Sequence, residues 1–99
     1  MTITKIICLC GSSKFKPLFR QKEKELTLKG YIVLLPAIFS HYDNITLSNK
    51  QKDDLDLLHK EKIKLADSIL IIGGLEYIGF STRKEIDYAK SLNKKISYL

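Results

Sequence analysis

Ile3 to Cys10 reads ITKIICLC, a run with apolar residues on both of the alternating faces that a β-strand presents, and it stops at Gly11-Ser12-Ser13. A strand that is apolar on both faces must be covered on both. That is the situation of a central strand in a parallel sheet flanked by helices.

Three more short apolar runs follow: Tyr31 to Leu35 (YIVLL), halted by Pro36; Ser68 to Ile72 (SILII), ending in Gly73-Gly74; and Lys95 to Leu99. Helical patterns separate them. From Lys14 to Lys29, Phe15, Leu18, Phe19 and Leu26 fall at helical spacing, Ser12 or Ser13 can cap the start and Gly30 the end, and Pro17 is tolerated in the first turn. Ser48 and Gln51 form a capping box for a helix reaching Ala66, with Leu55, Leu58, Ile63 and Ala66 on its apolar face. Ser81 to Leu92 supplies a third helix. Ala37 to Ser48 has no periodicity, and a connection of that length in a small domain is often functional.

Alternation of strand and helix calls for parallel strands joined by right-handed crossovers. The expected fold is α/β: a three-layer doubly wound parallel sheet of four strands, order 2-1-3-4, Rossmann-like or flavodoxin-like. Ligands of such sheets bind beyond the strand carboxyl ends where the order reverses. Here that switch point brings Gly11 to Lys14 opposite Gly73 to Glu85.

A chain of 99 residues has room for one domain, taken as 1–99, and 44% hydrophobic with 28% charged residues excludes a disordered or fibrous chain. No apolar run approaches the ~20 residues of a membrane span, and the first residues are too short for a signal peptide. A soluble, cytoplasmic protein is expected. Cys8 and Cys10, two apart on one strand, are poorly placed for a disulfide. With no other cysteine, a disulfide framework or a thiolate zinc site is not expected. The net charge of +6 favours anionic partners. It is spread over several helices without a recognition motif, which disfavours a nucleic-acid-binding module.

At the switch point, Gly11, Ser12, Ser13 and Lys14 offer backbone N–H groups, hydroxyls and an ammonium to an anion, although the spacing is neither Walker A nor GxGxxG. The alternative is a tight turn whose serine caps the helix. Glu85 falls in the first turn of the third helix, on one face with Ala89 and Leu92, aimed at the cleft with the helix dipole favouring its ionised form. Thr82-x-x-Glu85 is alternatively a capping box. Arg83 is either a phosphate ligand or an exposed cation. His59 borders an apolar helix face, either as a hydrogen-bonded core residue or as the best proton donor in the chain, whereas His41 reads as exposed. Phe39, Tyr42, Tyr77 and Phe80 suit stacking on a planar base or the rim of an interface.

Cys10-Gly11-Ser12, Ala66-Asp67-Ser68-Ile69-Leu70 and Gly79-x-Ser81-Thr82-x-x-Glu85-Ile86-x-Tyr88-Ala89 together resemble the nucleoside 2-deoxyribosyltransferase family, most nearly its nucleoside 5'-monophosphate N-glycosidase branch. The resemblance runs nearly end to end, through the helix-to-strand ending Ala89 to Ile96. It implies cleavage of an N-glycosidic bond, with Glu85 matching the glutamate that attacks the anomeric carbon. The Gly-Ser turn and the segment Gly79, Ser81, Thr82 match the phosphate- and sugar-binding elements, with Arg83 beside them. Cys8 stands where the family commonly has a tyrosine that orients the glutamate. His59 stands where it has an aspartate near the departing base, and a histidine there would protonate that base. The implied ligand is a nucleoside or nucleotide, the implied assembly a homodimer or higher homo-oligomer, and no metal or other cofactor is called for. A weaker similarity, of Gly73-Gly74 and Ser81-Thr82-x-x-Glu85, is to the cytokinin-activating phosphoribohydrolases.

Two functions follow. The first is a hydrolase or deoxyribosyltransferase with a glutamate nucleophile, in which the carboxylate stabilises an oxocarbenium-like sugar. The other is a catalytically silent nucleotide binder or sequestering protein on the same fold.

Overall fold

A computed structural model describes residues 5–99. Its elements are β1 (Ile6–Cys10), a 3-10 turn (Ser13–Phe15), α1 (Lys16–Leu28), β2 (Ile32–Leu34), α2 (Ser40–Asp43), α3 (Asn49–Leu65), β3 (Ser68–Ile71), α4 (Phe80–Ser91) and β4 (Lys95–Tyr98). The strands form one parallel sheet in the order β2-β1-β3-β4, with Cys8 between Leu34 and Ile69 and Ile69 against Ile96. This is the expected three-layer architecture. The expected strand start at Ile3 lies outside the described residues. No helix among the described residues is long and apolar enough to cross a membrane.

Both faces of β1 are used. Cys8 and Cys10 pack with Ile69 and Ile71 beneath Ile63 and Ala66 of the α3 end and Ile86 and Ala89 of α4. On the opposite face Leu9 packs with Phe19, Phe39 and Ile72. Cys8, Leu9 and Cys10 are consequently all without exposed surface.

Local signals set the helix ends. Ser48 and Gln51 make both bonds of a capping box at the start of α3. After α1, Tyr31 N–H donates to Leu26 O and Gly30 N–H to Thr27 O, the Schellman pattern, with Gly30 at φ +95°. Lys94 N–H to Ala89 O and Asn93 N–H to Lys90 O repeat it after α4, with Asn93 at φ 57°. The chain after Pro36, expected to lack regular structure, contains the single turn α2. Its His41 N–H donates to Ser13 Oγ at 3.1 Å, which ties the connection to the β1 turn.

Gly11 is the tightest point of the sheet. It sits at φ +141°, and a Cβ built on it would stand 2.5 Å from the backbone O of Ile72. Gly11→Ala therefore combines left-handed strain with a backbone clash, and a loss of about 2 kcal/mol or more is expected. A urea midpoint that falls at unchanged slope is the expected reading, and an unchanged midpoint would contradict this close approach.

Candidate functional site

The turn after β1, the Pro36 to Leu47 connection, α3, the loop after β3 at Tyr77 and the start of α4 enclose a cavity of about 450 Å³. Gly11, Ser12, Ser13, His59, Gly79, Ser81, Thr82 and Glu85, all singled out in the sequence, line it. Lys14 and Arg83 do not. Lys14 Nζ lies over the Tyr77 ring, 3.8 Å from its centroid, and 5.1 Å from that of Phe15. Arg83 is exposed on α4 outside the cavity. A shallow depression of about 650 Å³ lies between Asp54, Leu57, Leu58, Lys60 and Glu61 of α3 and Tyr88 of α4.

The β1 turn is both a cap and a wall. Ser12 Oγ accepts from Lys14 N–H at 3.3 Å, so its capping role is real, and the same residue faces the cavity. Across from it, α4 starts at Gly79, whose lack of a side chain leaves the first-turn amides without a side-chain cap. Amides in that position attract anions.

Glu85 departs from expectation in two ways. It is the sixth residue of α4, in the second turn, and Thr82 is a buried helical residue instead of an N-cap, so there is no Thr82–Glu85 capping box. The carboxyl turns inward, its side chain 18% exposed, with Oε1 3.7 Å from His59 Nε2. Burial pushes its pKa up to about 7, a positive His59 opposes that, and the Cys8 and Asp56 charges add to it. The helix dipole that was expected to keep it ionised does not prevail this far from the helix start.

His59 is buried where α3 crosses β1. Its Nε2 lies 3.3 Å from Cys10 Sγ and 3.9 Å from Cys8 Sγ, while Nδ1 is buried without a hydrogen-bond partner among the described residues. Burial pulls the imidazole pKa down, but contact with Cys8 and the negative charges of Cys8 and Glu85 outweigh it, and the result is raised. Cys8 is lowered to about 6, chiefly by its contact with Cys10, against burial and with help from His59 and Lys62. Cys10 goes up, through the same contact and burial. His59 thus belongs to a buried cluster. Its ring lines the cavity, with Nε2 held among the two sulfurs and Glu85 Oε1.

Both cysteines are free thiols. The expectation that two cysteines alone cannot make a thiolate metal site counted only cysteines. With His59, three donor atoms lie within 4.8 Å of one another.

The proposed stacking residues divide. Phe39 is a core residue, edge-on to Phe19 at 5.2 Å, and Tyr42 lies outside the cavity. Tyr77 and Phe80 line it. Sequence reasoning missed Lys52, Asp56, Lys62 and the apolar residues Ile38, Leu47, Leu55 and Leu58 as cavity wall. Lys62 is held there by donating to Leu35 O at 2.8 Å.

A model of the family described as a domain of unknown function, DUF4406, matches residues 8–98, and the chain belongs to that family. No curated protein matches the chain.

Glu85 carries a measurable pH signature. Its folded pKa, about 7, is above the ordinary 4.5, so its contribution to stability is complete below pH 4.5 and is lost as pH rises through 7. In reduced, chelator-treated protein, the stability of the wild type relative to Glu85→Gln should fall by up to about 3 kcal/mol between pH 4.5 and 8. Denaturant titration of both proteins across that range checks it, and parallel curves would refute it.

Proposed function

We propose that this DUF4406 domain binds a small phosphorylated nucleoside and cleaves its N-glycosidic bond, with the Glu85 carboxylate as nucleophile. The observation that carries the reading is the inward, largely buried carboxyl of Glu85 on the wall of a 450 Å³ cavity that also exposes the Gly11–Ser13 turn and the uncapped start of α4. That volume lies within the ~300 to 1,000 Å³ of small-molecule sites. The two amide-bearing walls and Lys52 suit a phosphate, and the apolar residues with Tyr77 and Phe80 suit a base.

In the reaction, a Glu85 oxygen bonds to the anomeric carbon as the bond to the base nitrogen breaks, its electron pair leaving with the base, which takes a proton from water. Water then hydrolyses the sugar ester and restores the carboxylate; a second base in place of water gives transfer. His59 acts through Glu85, since an imidazolium 3.7 Å away favours the ionised carboxylate. The same reading takes the protein to be cytoplasmic and a homo-oligomer, for which the exposed Leu57, Leu58 and Leu65 of α3 offer contact surface.

Nucleotide binding without turnover is the second reading, favoured by the engagement of His59 Nε2 with the two sulfurs and the burial of Nδ1. Incubation with a panel of nucleoside 5'-monophosphates, with released base measured by chromatography, separates the two. Base release that Glu85→Gln reduces by about 10³-fold or more, with nucleotide binding retained, is the expected outcome. Binding with no base released selects the silent binder, and no binding of any nucleotide refutes both.

A further inference from the structure

The two cysteines and the histidine form the only group of three close metal-ligating side chains among the described residues. Cys8 and Cys10 are two apart on β1, so the pleat directs both toward the face covered by α3 and α4. There α3 places His59 Nε2 at 3.3 Å from one sulfur and 3.9 Å from the other. From the other side α4 brings Glu85 Oε1 to 3.7 Å from the same nitrogen.

As a hydrogen-bonded cluster this arrangement is poorly matched. One ring nitrogen faces two sulfurs and a carboxylate oxygen, and a single N–H can satisfy only one of them. The other ring nitrogen is buried and without a partner among the described residues. Four electron-pair donors converging on one point are what a cation satisfies together.

The spacing agrees. With bonds of ~2.3 Å to sulfur and ~2.0 to 2.1 Å to nitrogen, a tetrahedral ion holds its donors roughly 3.5 to 3.8 Å apart. The distances from Nε2 to the two sulfurs bracket that range, and the whole group falls within 4.8 Å. We propose that Cys8 Sγ, Cys10 Sγ and His59 Nε2 bind a thiophilic divalent cation of the zinc class, with its fourth position facing the cavity beside Glu85.

Two thiolates and an imidazole select such an ion over magnesium or calcium, which take oxygen ligands. The metal takes both sulfurs as thiolates and Nε2 without its proton, so whatever protons these three groups carry are displaced and pass to solvent. The ion reaches the sulfurs through the cavity, because His59 and Glu85 line it while Cys8 and Cys10 lie beneath them without exposed surface. A Glu85 carboxylate that closes the fourth position is not free to attack a sugar, so metal binding and base cleavage would compete for this group. The metal site itself does not depend on the glycosidase reading.

The test uses the full chain, reduced, chelator-treated and kept anaerobic, titrated with Co²⁺ as a spectroscopic substitute for zinc. Saturation at one equivalent is expected, with thiolate-to-cobalt charge transfer in the near-ultraviolet, four-coordinate bands in the visible, and bleaching of both by Zn²⁺. Zinc alone should raise the melting temperature of the wild type. Cys8→Ala and Cys10→Ala should each weaken the charge-transfer band, His59→Ala should abolish four-coordinate binding, and His41→Ala should change nothing. Because the cysteine variants alter the core, the wild-type titration decides by itself: excess Co²⁺ without a charge-transfer band overturns the site. So do unchanged bands in a folded Cys8→Ala, Cys10→Ala or His59→Ala protein. No nucleotide enters these measurements, so their failure leaves the glycosidase proposal standing, and failure to release base leaves the metal site standing.

Discussion

The structure depends on β1 lying between β2 and β3 with Cys8, Leu9 and Cys10, at its carboxyl end, fully buried. These three residues divide between two cores: Leu9 goes to the side of α1, and Cys8 and Cys10 to the side of α3 and α4. Where the strand ends, β1 and β3 approach so closely that Gly11 meets the Ile72 carbonyl. The turn that follows is therefore fixed in place, and with it the Ser12 and Ser13 wall of the cavity. Parallel pairing alone leaves the strand ends open. The helices on either face and the α2 connection turn that opening into an enclosed site.

Polar groups in the α3–α4 core are the second constraint. Two thiols, an imidazole and a carboxyl meet where apolar side chains would pack more simply, and in a low-dielectric setting each shifts the others' protonation. Burial opposes a charge on Glu85, and the nearby positive imidazole partly restores it. Such a cluster is destabilising unless its members satisfy one another, by sharing protons or a cation. Placed at the floor of a cavity at the sheet's switch point, it is also where ligand chemistry is expected in open α/β folds.

The cavity divides along the same lines. One end is made of backbone amides from a strand-to-helix turn and an uncapped helix start, which suit negative charge. The rest of the lining mixes apolar and aromatic side chains with Lys52, Asp56, His59, Lys62 and Glu85. Of the chain's cations, Lys14 is turned onto Tyr77 and Arg83 lies outside the cavity, while Lys52 and Lys62 line it.

Strand and helix alternation, the double-sided burial of β1, the capping box at Ser48 and the Gly30 helix stop were all legible in the sequence, because each is encoded by neighbours a few residues apart. The same local signals placed Gly11 to Ser13 and Gly79 to Glu85 at one end of the sheet. They failed for Thr82, read as a cap although the helix begins two residues earlier, and for Phe39, whose stacking role disappears into the core against Phe19. No local pattern brings His59 to Cys10 across a separation of 49 positions, or sets the protonation of Glu85. Those features arise from how α3 and α4 cross the sheet. Long-range packing decides both which donors meet and how much water is left around them, and a linear sequence carries no direct record of either.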